Sequence, residues 1–172
     1  MEKWFVRAAY PDDAPALSAL IQNTLRTTNA ADYAPEVIEK ICAHFTPEQV
    51  HQKLAAREVF AALADGTIAG TASFAGNRLL ALYVAPSFQG QGVGACLVRH
   101  IETLAVARGL EELWLSSSLT ARGFYERLGY HMQKLEDWGA GDVTWLMRKG
   151  FAGQAGNQAD EPASHSNTNS DV

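Results

Sequence analysis

The chain has 172 residues, which suits one domain with a buried core, and its 47% apolar and 19% charged residues are those of an ordinary globular protein. A net charge of −5 with scattered Lys and Arg argues against a nucleic-acid partner. No apolar run reaches membrane-spanning length, and no basic stretch followed by an apolar segment marks a signal peptide.

Residues 3–9 predict a first strand. Pro11, Asp12 and Asp13 start a helix whose apolar stripe is Leu17, Leu20, Ile21 and Leu25. Residues 27–34 predict a polar loop, and Pro35 begins a short helix carrying Val37, Ile38 and Ile41. Thr46 reads as the N-cap of a further helix ending near Arg57, with Gln49 completing a capping box. Strands are predicted at 58–64 and 67–75, joined by the hairpin signal Asp65-Gly66. Asn77 and Arg78 turn the chain into a strand at 79–84. Val93, Leu97, Ile101 and Leu104 give the next helix one apolar face, stopped at Gly109. A strand at 112–117 and a short helix over 119–128, ending at Gly129, follow. Two closing strands at 130–135 and 143–147 flank a turn at 138–142.

There is no internal repeat, so residues 1–150 are read as one domain. From 151 to 172 the chain turns polar and loses periodicity, which predicts a disordered tail. Two cysteines are too few for a disulfide framework or a zinc ribbon. Unpaired thiols without a signal point to a reducing, cytoplasmic location. The five histidines show no metal-binding spacing, so no metal is expected.

Residues 79–98 carry the strongest functional signal. An apolar strand runs into Pro86 and a turn, and Gly90, Gly92 and Gly94 then open a helix. Glycines there admit close approach of a ligand to the backbone. The first amides of a helix lack intrahelical partners and, with the helix dipole, suit a phosphate or diphosphate. The relaxed dinucleotide fingerprint Gly90-x-Gly92-x-x-Ala95 fits less well, because Ala85 to Gln89 separate the strand from the turn and Glu112 begins a strand instead of ending one. A phosphate-binding P-loop is excluded, since no Gly-Lys-Ser/Thr follows.

Gln89-Gly-Gln-Gly92-Val-Gly94 resembles the Q/R-x-x-G-x-G/A motif of the GCN5-related N-acetyltransferases, the GNAT family. Leu82-Tyr83-Val84 before Ala85-Pro86 is similar to that family's fourth strand. Ala121, Phe124, Tyr125, Gly129 and Tyr130 resemble its later A-x-x-F-Y-x-x-x-G-F/Y motif. The resemblance covers about residues 3–149. It implies an α/β (α+β) fold with a mixed, mainly antiparallel central sheet flanked by helices, acyl-CoA N-acyltransferase-like. Acetyl-CoA would lie in a splayed gap between two central strands and donate its acetyl group by direct attack of a primary amine on a small molecule or peptide.

By the same resemblance, amides of Gln89, Gly90, Gln91, Gly92, Val93, Gly94 and Ala95 hold the diphosphate, and Leu82, Tyr83 and Val84 meet the pantetheine arm as an added strand would. Ser116, Ser117 and Ser118 stand in the region where an Asn is common, with Ser117 as the expected cofactor contact, and residues 79–84 lack the carboxylate that many family members use as base. Tyr125 matches the general acid. With ordinary pKa values of about 10 for Tyr and 8.5 for a thiol, full proton transfer is uphill by roughly 2 kcal/mol, so Tyr125 would act through a strengthening hydrogen bond. Asp32, Tyr33, Glu36 and His44 fall in the acceptor-binding segment, with Asp32 as base or acceptor contact and Tyr33 as substrate contact. Glu136, Asp137 and Asp142 form either an acidic rim with Asp32 and Glu36 or a solvated hairpin. A homodimer is compatible with the resemblance. The competing readings are a non-catalytic acyl-CoA-binding module, transfer of a longer acyl group or to a hydroxyl, and a dinucleotide binder.

Overall fold

Asp65 and Gly66 have φ of 47° and 79°, the left-handed pair that a tight hairpin requires. They join β2 (Glu58–Ala64) to β3 (Thr67–Ala75). The structure, a computed structural model, describes residues 3–151. A seven-stranded sheet runs β1 (Phe5–Ala8), β2, β3, β4 (Arg78–Val84), β5 (Glu112–Ser118), β7 (Val143–Gly150), β6 (His131–Asp137). All neighbours are antiparallel except β4 and β5. The sheet is thus mixed and mainly antiparallel, as expected.

The helices cover both faces. On one, α1 (Ala14–Thr27), α2 (Pro35–Cys42), α3 (Pro47–Ala56) and the turn before α3 bury Leu17, Ile21, Leu25, Val37, Ile38, Ile41, Phe45 and Val50 against Ala81 and Tyr83. On the other, α4 (Val93–Ala107) buries Val93, Leu97, Val98, Ile101 and Ala105 against Phe60, Ala72, Phe74 and Leu115. α4 connects β4 to its parallel neighbour β5, since parallel strands need a crossover. Gly70 leaves room for this packing: a Cβ there would stand 2.8 Å from Val93 Cγ1.

Some expectations are adjusted. Thr46 caps α3 by accepting from the Gln49 amide at 3.3 Å. Val98 and Ala105, not Leu104, complete the fully buried stripe of α4. The short helix predicted over 119–128 is confined to α5 (Arg122–Arg127), because a turn at Ser118 to Ala121 comes first. Phe151 still packs on the core, and its amide donates to Glu111 O at 2.8 Å. The tail predicted over 151–172 otherwise lies outside the described residues.

Two features of β4 position the site. Ala81 has φ of 47°, and between the pairs Thr71↔Tyr83 and Ser73↔Leu80 the chain advances two residues in β3 and three in β4. One extra residue bends a strand and sharpens its twist. Beside it, β4 and β5 are paired at Arg78↔Trp114, before the bulge. Beyond that pair the two strands diverge.

Candidate active site

A cleft of about 470 Å³ opens where β4 leaves β5, within the usual range for small-molecule sites. Leu82, Tyr83 and Val84 line it from β4. Ser116, Ser118 and Thr120 line it from β5 and the turn that follows, and Phe124, Tyr125 and Arg127 from α5. Gln89, Gly90, Gly92, Val93, Gly94 and Ala95 close one end.

That end is formed by the start of α4 and the loop before it. Gly90 and Gly92 have φ of 72° and 88°, which lets the loop turn sharply into α4. The Cys96 amide is bonded to Gly92 O at 3.0 Å. The amides of Val93, Gly94 and Ala95 precede it and have no carbonyl a turn earlier to meet. No acidic residue sits in the first turn, so the positive end of the helix dipole is uncompensated. Gly94 serves a second need: a Cβ would stand 3.0 Å from Phe124 Cζ, across the cleft.

Gln91 does not line the cleft. Its Oε1 accepts from Lys3 Nζ at 3.0 Å, its carbonyl accepts from Trp4 Nε1 at 3.2 Å, and its Nε2 donates to Ser87 O at 3.0 Å. It braces the glycine loop from behind. Gln89 Nε2 donates to Val84 O and to Thr28 Oγ1, both at 3.0 Å, tying the loop to the end of β4 and to α1.

Tyr125 is 5% exposed and lines the cleft. The helical spacing predicts Phe124 and Leu128 as the inward pair; instead Tyr125 is buried and those two are half-buried. The reason is aromatic packing. Tyr125 lies edge-on to Phe124 at 5.0 Å and to Tyr130 at 5.8 Å, wedged between α5 and the sheet. Burial pushes its phenol well above the ordinary value, so it stays protonated at neutral pH.

The acceptor-side residues separate. Tyr33 is buried; its hydroxyl donates to Val143 O at 2.8 Å and accepts from the Leu119 amide at 2.9 Å, and desolvation pushes its pKa up to about 12. It fastens α2's approach to β7 and lies outside the cleft lining. Asp32 and Glu36 are exposed and also outside it, and His44 is half-buried. Asn29, Thr24 and Thr28 line the cleft from that side. Ser117 turns away, buried, and donates to Ser118 O at 2.8 Å, while its neighbours Ser116 and Ser118 face the cleft. Strand alternation accounts for this: Leu113 and Leu115 are in the α4-side core, so Ser117 follows them.

The acidic hairpin also divides. Asp137 is exposed and Glu136 half-buried. The Asp142 side chain is 1% exposed, 3.8 Å from Lys40 Nζ. Asp142 therefore does not belong to a solvated rim. Among the described residues, no group of three or more His, Cys, Asp or Glu is placed to hold a metal ion, and no helix is long and apolar enough to cross a membrane.

An acetyltransferase (GNAT) domain model matches residues 29–150. The chain is 26% identical over 146 residues to the protein called Uncharacterized N-acetyltransferase YafP of Escherichia coli K12, covering 83% of this chain and 93% of that one. Among solved structures, a GCN5-related N-acetyltransferase from Rhodopseudomonas palustris superposes with a TM-score of 0.80 at 26% identity, covering 88% of this chain and 98% of that chain. The PaiA N-acetyltransferase of Thermoplasma acidophilum, solved in complex with coenzyme A, gives a TM-score of 0.72 at 22% identity, covering 88% of this chain and all of its own. The matched region holds the glycine loop, the splayed strands and α5, and the chain belongs to the acetyltransferase (GNAT) family of acyl-CoA-dependent enzymes.

Proposed function

We propose that the protein transfers acetyl from acetyl-CoA to a primary amine within the β4–β5 cleft. The observation that carries this reading is the splay beyond Arg78↔Trp114, which parts the edge of β4 from β5 beside the open amides of Val93, Gly94 and Ala95. A pantetheine arm bears amides and can pair with such an edge as an extra strand. A diphosphate fits the start of α4. Leu82, Tyr83 and Val84 would meet the arm, and the amides from Gly90 to Ala95 would meet the diphosphate, with Gln91 holding the loop in shape. Residues 1–150 would form the working domain.

The amine nitrogen attacks the thioester carbon; a C–N bond forms and the C–S bond breaks. The departing thiolate needs a proton or a hydrogen bond, and Tyr125 brings a phenol into the cleft wall from α5. Its raised pKa makes it a poor acid in water. A hydrogen bond from this phenol strengthens as charge develops on sulfur. Such a contribution is typically about 10²–10⁴-fold.

The test is a primary-amine panel reading release of free CoA thiol, beside calorimetry with CoA. Wild-type protein should bind CoA and release thiol with at least one amine. Tyr125→Phe should lower kcat about 100-fold and leave CoA affinity unchanged. CoA binding without thiol release from any amine would favour a non-catalytic CoA-binding module.

A further inference from the structure

β4 carries no acid over 79–84, and the acid of β5, Glu112, is taken at the far end of its strand by Trp114 Nε1 at 2.7 Å and Arg148 Nη1 at 3.1 Å. The acceptor still has to lose a proton. A lysine-like amine has a pKa of about 10.4, so few molecules are nucleophilic at pH 7. A carboxylate from a strand two places away reaches a residue that lines the cleft. Ser116 lines the cleft two residues past the last β4–β5 pair, at the root of the splay. Its hydroxyl donates to Glu136 Oε2 at 2.7 Å and accepts from Arg78 Nη2 at 2.8 Å. Thr144 Oγ1 donates to the same Glu136 oxygen at 3.1 Å and accepts from Trp138 Nε1 at 3.0 Å.

This arrangement fixes direction. Arg78 and Glu136 together determine which way the Ser116 proton points: toward the carboxylate. A serine oxygen has two lone pairs. Arg78 takes one, and the other is left for a donor in the cleft. Glu136 Oε2 holds both serine and threonine, and its Oε1 is bonded to none of the described residues. The charged group that faces this carboxylate from the neighbouring strands is Arg78 of β4, acting through Ser116; β5, β7 and the β6–β7 turn present Ser116, Thr144 and Trp138, which are neutral.

We infer that Ser116 receives the acceptor's proton and passes its own to Glu136. This rests on the acetyl-transfer reading above. One proton of the bound ammonium first moves to Ser116 Oγ as the Ser116 proton moves to Glu136 Oε2; the nitrogen pair so freed attacks, and the second N–H proton passes to the departing sulfur. The nitrogen pair becomes the new C–N bond, and the C–S pair leaves on sulfur with a hydrogen bond from Tyr125. Glu136 later returns its proton to solvent. Ser116 is the catalytic residue of this pair; Glu136 acts through it.

The experiment measures kcat/KM against pH from 6 to 10 with acetyl-CoA saturating and two probes, Nα-acetyl-lysine amide and alanine amide, beside the most active amine of the panel. Glu136→Gln should lower kcat/KM at pH 7 about 100-fold, and the loss should shrink as pH rises and free amine accumulates. The loss should be smaller for an α-amine, whose pKa is about 8. CoA affinity should be unchanged. Ser116→Ala should give the same profile, and the double variant should be no worse than either single one. Glu136→Asp, which keeps the carboxylate, should regain part of the rate and keeps the test open if Glu136→Gln fails to fold. A wild-type pH profile in Glu136→Gln, or a loss equal at every pH, overturns the relay alone. Wild-type protein that releases no thiol with any amine overturns the acetyl-transfer reading and the relay with it.

Discussion

Asp142 is a carboxylate under protein, with neither oxygen hydrogen-bonded and Lys40 Nζ 3.8 Å away. Desolvation outweighs Lys40 and His44, and its pKa is raised. The folded state therefore keeps the proton to higher pH than the unfolded chain, whose Asp titrates near 3.9. Below that pH the group costs nothing. As pH rises through it, the unfolded chain loses its proton first and stability falls. Asp142→Asn should accordingly raise Tm at pH 7, with the gain vanishing near pH 3. A lower Tm at pH 7 would mean that the Lys40 pair outweighs burial. At this scale the sequence was least legible. It carries the motif letters of Tyr125, yet helical spacing turns Tyr125 away from the core pair Phe124 and Leu128, because the edge-on packing with Tyr130 depends on where β6 begins. Ser116 and Glu136 stand 20 residues apart, and no local signal joins them.

The turn into α4 and the bulge in β4 are the elements on which the cleft depends. Gly92 holds φ of 88°, and a Cβ added there meets nothing within 4 Å. A side chain at 92 is penalised by backbone strain alone, about 1–2 kcal/mol. Gly92→Ala should lose that much in denaturant unfolding, and CoA affinity should fall as the loop rearranges; Gly92→Asn should cost less stability, since Asn tolerates this region better. Equal stability of Gly92→Ala and wild type would place the turn in another conformation. Elements were the most legible scale. Hairpin, caps and glycine stops are local chemistry, and β2 and β3 fall on the predicted residues. The bulge at Ala81 was not legible, because alanine gives no sign of a positive φ. The sequence reading has a plain strand at 79–84, while the structure shifts register within it.

Across the molecule, the two apolar layers on either face of the sheet trap tyrosines. Tyr33, Tyr125 and Tyr130 all have raised pKa values, chiefly from burial, with Glu102 adding to the effect at Tyr130. Unfolded tyrosines ionise near pH 10. Above that pH the unfolded chain sheds protons that the folded chain keeps, so stability falls with rising pH. Absorbance at 295 nm should report Tyr33, Tyr125 and Tyr130 ionising only as the protein unfolds. Smooth ionisation of these tyrosines before unfolding would contradict the burial described here.

The central claim is that the amides at the start of α4 hold the diphosphate of a CoA thioester. The direct measurement is titration of ¹⁵N-labelled protein with CoA, followed at the amide resonances of Gly90 to Ala95. Large shifts at Val93, Gly94 and Ala95, reproduced by ADP and absent with pantetheine, are the predicted result. CoA binding that leaves these three amides unmoved, or no binding, would contradict it.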